Sequence, residues 1–441
     1  MTTFAEPTPT ESDLARRKRL RTVVAASLLG TTVEWYDFFL YATAASLVFN
    51  QLFFPDQSSF VGTMLSFATF AVGFLVRPIG GVVFGHFGDR IGRKKTLALT
   101  MFIMGIATAL MGALPTAEQI GVFAPVLLLV LRILQGFALG GEWAGAVLLA
   151  VEHSPAKKRG LFGSIPQIGL ALGLALGTAV FALLQTVLDD GQFLAYGWRI
   201  AFLVSLVLVV VGLVVRLKVE ETPAFQEVTD LKQRSSAPVR DVFTRKSARG
   251  TILGLLSRWG EGAAFNTWGV FAITYATTEL DFEKVPVLLV VTVAAAVMAV
   301  LLPLSGLLVD RFGAKRIYMI GIGLYGVAVF PVFALFGTGN LLFFGLGLVL
   351  VFGFVHALFY GAQGTLYASL YPTEIRYTGL SVVYQFSGIY ASGVTPLILT
   401  ALIAAGSGSP WLACGFLVGT SVVSVAATAL IREKDLYMSG S

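Results

Sequence analysis

Gly85-His86-Phe87-Gly88-Asp89-Arg90-Ile91-Gly92-Arg93-Lys94-Lys95 and Gly306-Leu307-Leu308-Val309-Asp310-Arg311-Phe312-Gly313-Ala314-Lys315-Arg316 are the stretches on which the architecture turns. Both carry Gly-x3-Asp-Arg-x-Gly, the second at an offset of 221 residues from the first. Each ends a long apolar run with a cluster of basic residues. A fainter echo joins Pro155-Ala156-Lys157-Lys158-Arg159-Gly160 to Pro372-Thr373-Glu374-Ile375-Arg376-Tyr377-Thr378-Gly379, with inexact spacing. The chain therefore reads as two similar halves that start on the same side of a membrane. Parallel repeats of this kind are related by an axis along the membrane normal and suit alternating access by rocking one half against the other. Channels build their pore from rings of residues instead.

Composition leads to the same class. Of 441 residues, 56% are hydrophobic and 13% charged, with a mean hydropathy of +0.81. Soluble domains hold about 25% charged residues, so this chain has too little polar surface to face water. Disorder is excluded for the same reason. A spanning helix needs roughly 20 apolar residues, and twelve such segments are legible: 22–49, 60–87, 95–115, 121–152, 160–188, 197–218, 249–280, 285–309, 316–337, 340–371, 377–404 and 409–431. Transmembrane barrels show short alternating segments rather than long apolar runs. The first run is too long for a secretory signal and contains Glu34 and Asp37, so it reads as a retained span.

Basic residues orient the chain. With the N-terminus in the cytoplasm, cytoplasmic segments hold 26 of the 31 Lys and Arg residues. That bias puts both termini in the cytoplasm and accounts for the net charge of +6 without a nucleic-acid partner. The expected organisation is a cytoplasmic tail over 1–21, a six-helix bundle over 22–218, a polar cytoplasmic linker over 219–248, a second bundle over 249–431 and a short tail over 432–441. Cys414 stands alone, and His86, His153 and His356 lack ligand spacing, so no metal site and no cofactor is expected.

At this point the chain resembles the major facilitator superfamily. The two Gly-x3-Asp-Arg-x-Gly loops look like its loop signature, and Arg132-Ile133-Leu134-Gln135-Gly136 looks like its Arg-x-x-Gln-Gly motif. Glu34-Trp35-Tyr36-Asp37-Phe38-Phe39-Leu40-Tyr41, Arg77-Pro78-Ile79-Gly80-Gly81, Gln135-Gly136-Phe137-Ala138-Leu139-Gly140-Gly141-Glu142-Trp143 and Trp198-Arg199 resemble the metabolite:proton symporter family, nearest its shikimate-type branch. The resemblance implies an all-α membrane protein of twelve helices in two pseudo-symmetric bundles, a proton as coupling ion, and a small organic acid as cargo. A zwitterionic osmolyte such as proline or betaine, or export or uniport on the same fold, are the alternatives.

Ionisable residues at membrane depth cost at least about 2.5–3.5 kcal/mol on insertion scales and normally line a cavity. Here they are Glu34, Asp37, Arg77, Arg132, Glu142, Arg258, Glu261 and His356. At about 1.5 Å per residue, Glu34, Arg77 and Glu142 lie roughly 16–20 Å from the cytoplasmic ends of their spans, with Asp37 at about 24 Å and Arg132 at about 31 Å. The first three therefore share one level, and Asp37 and Arg132 match nearer the outside. Glu34, Asp37 and Tyr41 fall on one helical face. A nearby Arg favours an ionised carboxylate and desolvation opposes it, so alternating wetness would load and release a proton. Asp37 with Arg132 is the first expectation for that switch, supported by the role the resemblance gives the span-four Arg; Glu34 and Glu142 come second.

Arg77 and, from the other half, Arg258 are cations suited to a substrate carboxylate. Tyr41, Gln135, Trp143, His356, Tyr360, Gln363, Tyr384 and Gln385 would supply hydrogen bonds and aromatic walls. Glu261, three residues from Arg258, belongs to the same group, although the two also suffice to neutralise each other. Gly85, Asp89, Arg90, Gly92 and Arg93, with Asp310 and Arg311, are expected to close the inner gate by charge-assisted bonds at helix ends. An enzyme would need a nucleophile–base or metal constellation, and none is visible. The expected partners are a small-molecule carboxylate and the lipid bilayer of the cytoplasmic membrane, with no oligomer required.

Overall fold

Hydrocarbon offers the backbone no hydrogen-bond partner, so apolar spans must satisfy their own N–H and C=O groups as helices. The computed structural model describes residues 11–438 apart from 92, 141, 153, 219–237, 245–246 and 373–374, and leaves the side chains of 11–24, 26, 27, 85–97, 149, 156, 215–218, 238 and 239 outside that description. Twelve helical spans follow one another among the described residues. They are α1 (Glu11–Leu47), α2 (Ser59–Ile91), α3 (Arg93–Ala113), α4 (Phe123–Glu152), α5 (Arg159–Val187) and α6 (Trp198–Lys218) in the first half. In the second half, α7 runs in pieces (Ala248–Ser257, Trp259–Asn266 and Ala272–Thr278), followed by α8 (Lys284–Phe312), α9 (Ala314–Phe336), α10 (Leu341–Ser369), α11 (Arg376–Ala405) and α12 (Trp411–Leu430). The fold is all-α, in two six-helix bundles. Most of the 219–248 linker lies outside the described residues.

Burial is distributed as lipid requires. Val207, Val300 and Val327 face outward, whereas Asp37, Arg132, Gln135 and His356 are fully buried. Lipid tails are as apolar as Leu, so the helices are held by close packing and hydrogen bonds rather than by a hydrophobic force between them. Small residues make that packing possible. A Cβ on Gly136 would lie 2.3 Å from the Gly73 carbonyl oxygen, and one on Gly140 would lie 2.2 Å from the Arg77 carbonyl oxygen. The α2–α4 crossing is therefore built on backbone touching backbone, and it sets where Arg77 stands. Between the halves, α5 lies along α8, and Thr178 shares a 2.7 Å hydrogen bond with Thr292.

Several spans are not the uninterrupted helices that their apolar runs suggest. The helical ladder of α7 breaks at Arg258, between Ser257 and Trp259. π-helical turns cover Thr267–Phe271 in α7, Val349–Val355 in α10 and Gly388–Gly393 in α11. Such bulges gather at functional sites because they turn side chains off the regular 3.6-residue repeat. Hydropathy does not register them, since a one-residue wind leaves composition unchanged.

Replacing Gly140 with Val should separate α2 from α4 and destabilise the fold by about 1–3 kcal/mol, the range for overpacking. The expected reading is a lower Tm in detergent. An unchanged Tm would show that the crossing tolerates a side chain there.

Candidate functional site

The two bundles meet at a cavity halfway along the spans. Glu34 and Trp35 reach it from α1, Arg77 from α2, Glu142 and Trp143 from α4, and Tyr384 and Gln385 from α11. Its volume is about 20 Å3, room for one water. The level that helical rise predicts for Glu34, Arg77 and Glu142 is therefore one place in space. Glu142 accepts a 2.8 Å hydrogen bond from Thr100 of α3. The Arg77 guanidinium lies over the rings of Phe38 (4.7 Å) and Phe74 (4.2 Å), and its Nε is buried without a hydrogen-bond partner. A cation held by ring faces alone keeps its in-plane donors for an anion.

Asp37 and Arg132 do not pair. Asp37 accepts a short hydrogen bond from Ser205 of α6 at Oδ1, and its Oδ2 has no hydrogen-bond partner. Arg132 donates to Gln135 Oε1 and, at 3.4 Å, to the Phe70 carbonyl, and it sits 4.2 Å from the centre of the Tyr41 ring. Gln135 in turn donates to Thr108 at 2.8 Å and, weakly, to the Asp37 carbonyl at 3.5 Å. The expected ion pair is thus replaced by a chain of polar contacts, because Gln135 lies one helical turn from Arg132 and takes its guanidinium. Tyr41, whose hydroxyl donates to Thr69 at 2.6 Å, and Gln135 belong to this cluster and not to the cavity wall.

Arg258 is also committed. Its Nε lies 3.1 Å from Glu261 Oε2, and its Nη1 donates to Ser387 Oγ (2.9 Å) and to the Tyr384 carbonyl (3.2 Å). Of the two readings left open by sequence, mutual neutralisation is the one this geometry fits. Arg258 also caps the Tyr384 ring at 3.8 Å, while Trp143 stacks on that ring at 3.6 Å with planes 14° apart. A Trp143–Tyr384–Arg258 stack therefore crosses from the first bundle to the second. Gln385 Nε2 donates to the Gly140 carbonyl at 2.7 Å across the same seam. On α10, His356, Tyr360 and Gln363 are fully buried and do not border the cavity.

At the end of the molecule that carries Asp310, polar contacts join the two bundles. Asp310, in the last turn of α8, accepts from the backbone N–H groups of Gly160 (2.6 Å) and Leu161 (3.0 Å) at the start of α5. The first N–H groups of a helix lack intrahelical partners and form its positive end, so an anion is well placed there. Arg376 at the start of α11 pairs with Glu152 at the end of α4 at 2.9 Å, and Thr365 donates to the Arg159 carbonyl at 3.2 Å. A Cβ on Gly306, the first glycine of the repeat, would lie 2.7 Å from the Gly160 carbonyl oxygen, and one on Gly160 would lie 2.5 Å from the Gly306 carbonyl oxygen, so both glycines let α8 reach α5. Arg311 lies over Phe312 at 5.1 Å. Gly92 and the side chains of Asp89, Arg90 and Arg93, with the surroundings of Gly85, lie outside the described residues. Sequence reasoning missed Ser205, Thr108 and Glu152. Only the Pro155–Gly160 echo hinted that the start of α5 is a contact point. No group of three or more metal-ligating side chains occurs among the described residues.

A family model described as Major Facilitator Superfamily matches residues 27–396 and 252–436. The inner membrane metabolite transport protein YhjE of Escherichia coli (strain K12) is 39% identical over 422 residues, covering 94% of this chain and 95% of that protein. The shikimate transporter of the same organism is 36% identical over 436 residues, covering 98% and 99%. The crystal structure of a D-xylose-proton symporter matches in fold with a TM-score of 0.72 at 20% identity, over 96% of this chain and 99% of that one.

Replacing Asp310 with Asn removes the charge from the α5 terminus. The loss, about 1–2 kcal/mol for a favourable charge–dipole contact, should raise labelling of a cysteine placed at Thr365 from the cytoplasmic side by roughly five- to thirtyfold. Unchanged labelling would count against a closing role for Asp310.

Proposed function

The chain belongs to the major facilitator superfamily, and from that membership we propose that it imports a small organic acid together with protons across the cytoplasmic membrane by alternating access. It is a multi-pass membrane transporter and not an enzyme. The observation that carries the finer reading is the cavity between the bundles, where Arg77, Glu34 and Glu142 meet Tyr384 and Gln385 of the other half. In this reading Arg77 takes the substrate carboxylate, because its guanidinium is held by rings and not by a carboxylate. The similarity to a shikimate transporter supports a carboxylate cargo.

Asp37 is the proposed proton carrier, with Glu34 and Glu142 beside the substrate. A buried carboxyl group with one oxygen on Ser205 and the other unpartnered is suited to taking up and giving off a proton as its surroundings turn wet or dry. Arg132, joined to the Asp37 backbone through Gln135, would carry the change of α4 to α1. Asp310 and its repeat counterpart Asp89 would release the inner gate once the cavity is filled. Both termini face the cytoplasm in this arrangement, as the distribution of Lys and Arg favours.

The test is transport by purified protein in sealed vesicles with a pH electrode or an entrapped dye. Addition of labelled carboxylates should acidify the lumen in step with uptake. Arg77→Gln should weaken substrate binding about thirtyfold or more, the cost of removing one partner of a buried charged contact. Asp37→Asn should abolish uphill uptake and leave substrate exchange measurable. Uphill, proton-driven uptake by the Asp37→Asn protein would remove Asp37 from this role.

A further inference from the structure

A second cavity, apart from the one beside Arg77, lies at the end of the molecule that carries Asp310. It is open, holds about 960 Å3 and shares no lining residue with the first. Small-ligand sites run to roughly 300–1,000 Å3. Lys157 and Arg159 reach it from the first half, and Asp310, Lys315 and Arg316 from the second, with Glu433 from the turn after α12. Four cationic side chains thus face two acids, an excess of two positive charges.

Most of these cations are not spent. Asp310 is held by the Gly160 and Leu161 N–H groups, and Lys315 donates to the Ala429 and Ile431 carbonyls. Lys157, Arg159 and Arg316 make no side-chain hydrogen bond or ion pair among the described residues, and Arg159 Nε is buried without a partner. Their places in the chain add to the imbalance. Arg159 opens α5, and Lys315 and Arg316 stand in the first turn of α9. Neither first turn holds an acidic residue, and neither N-cap side chain makes a capping bond. Anions are favoured at helix starts and cations at helix ends, so basic side chains here oppose the dipoles of both helices. The preference of Lys and Arg for one side of the membrane accounts for their number. It does not require that they gather around one cavity at two helix starts.

An anion with more than one charge answers both faults. A carboxylate would leave one positive charge over, whereas a phosphomonoester brings about −1.5 to −2 charges at pH 7 and three acceptor oxygens. Arginine forks match phosphate oxygens, and first-turn N–H groups bind them. Phe312, Ile320 and Leu436 supply an apolar wall for the carbon part of the ester. We propose that this cavity binds a phosphomonoester, with its phosphate on Lys157, Arg159 and Arg316 at the start of α9, so that one ligand ties the two bundles together. A soluble phosphate ester and the head group of phosphatidic acid share this chemistry.

Two measurements on the full-length protein test this. In detergent, calorimetric titration compares glycerol 3-phosphate with acetate. In nanodiscs, the Tm in phosphatidylcholine is compared with the Tm in phosphatidylcholine containing phosphatidic acid. Glycerol 3-phosphate should bind about tenfold or more tightly than acetate, or phosphatidic acid should raise the Tm, as a ligand of the folded state does. Arg159→Gln and Arg316→Gln, one from each half, should each weaken binding about tenfold or more, the cost of a lost charge-assisted bond, or remove most of the rise in Tm. Lys157→Gln is a second variant on the first half. None of the three should lower the Tm of the ligand-free protein, because each takes a cation away from a helix start. A response to the soluble ester alone assigns a soluble ligand, and a response to phosphatidic acid alone assigns the lipid; either supports the site. The proposal is overturned if neither acts, as a role in topology alone would have it, if acetate binds as tightly as the ester, or if the substitutions in either half leave binding unchanged. None of these measurements involves transport, so this site and the transport reading above stand or fall separately.

Discussion

Two backbone N–H groups at the start of α5 hold the carboxylate of Asp310, and this contact ties one bundle to the other at the end of α8. A helix of 29 residues presents unsatisfied donors and positive potential at its first turn. An aspartate delivered by the opposite bundle answers both. The Arg376–Glu152 pair braces the same face. With the ends joined, α5 and α8 pack along their length and Trp143 of one half stacks on Tyr384 of the other. Lipid supplies no hydrophobic force to keep the halves together, so close packing and these polar contacts join them.

The buried charges divide by what surrounds them. Arg258 faces a carboxylate three residues along its own helix, Arg132 faces an amide and ring faces, and Arg77 faces two phenylalanines and open space. These three environments give one residue type three settings: an ion pair, a contact between helices and a cavity wall. The same logic separates the acids. Asp37 lies in a buried junction with Ser205, whereas Glu34 and Glu142 border the cavity.

Much of this was legible beforehand for physical reasons. The Gly-x3-Asp-Arg-x-Gly repeat located Asp310 at a helix end, because charged residues leave the hydrocarbon where spans stop. Helical rise placed Glu34, Arg77 and Glu142 at one depth, since rise per residue hardly varies. Rotation about each helix axis was not legible. Asp37 and Arg132 have matching depths, yet Ser205 and Gln135 hold them apart, and nothing in their spacing foretells it. The π-helical turns in α7, α10 and α11 add to the difficulty, for they rotate everything beyond them.

Sequence by itself determined that this chain spans a membrane with paired bundles, which way its ends point if basic residues remain inside, and which ionisable groups are sunk in lipid. Those properties follow from hydropathy, charge and repetition along one dimension. Tertiary structure decided which of those groups touch: that Arg258 meets Glu261 while Arg77 meets the cavity, and that α10 turns His356 and Gln363 inward unpartnered. Each residue swings a side chain by about 100° around its helix, so partners depend on how close two backbones come at glycines such as Gly140 and Gly160, a distance that only the packed molecule settles.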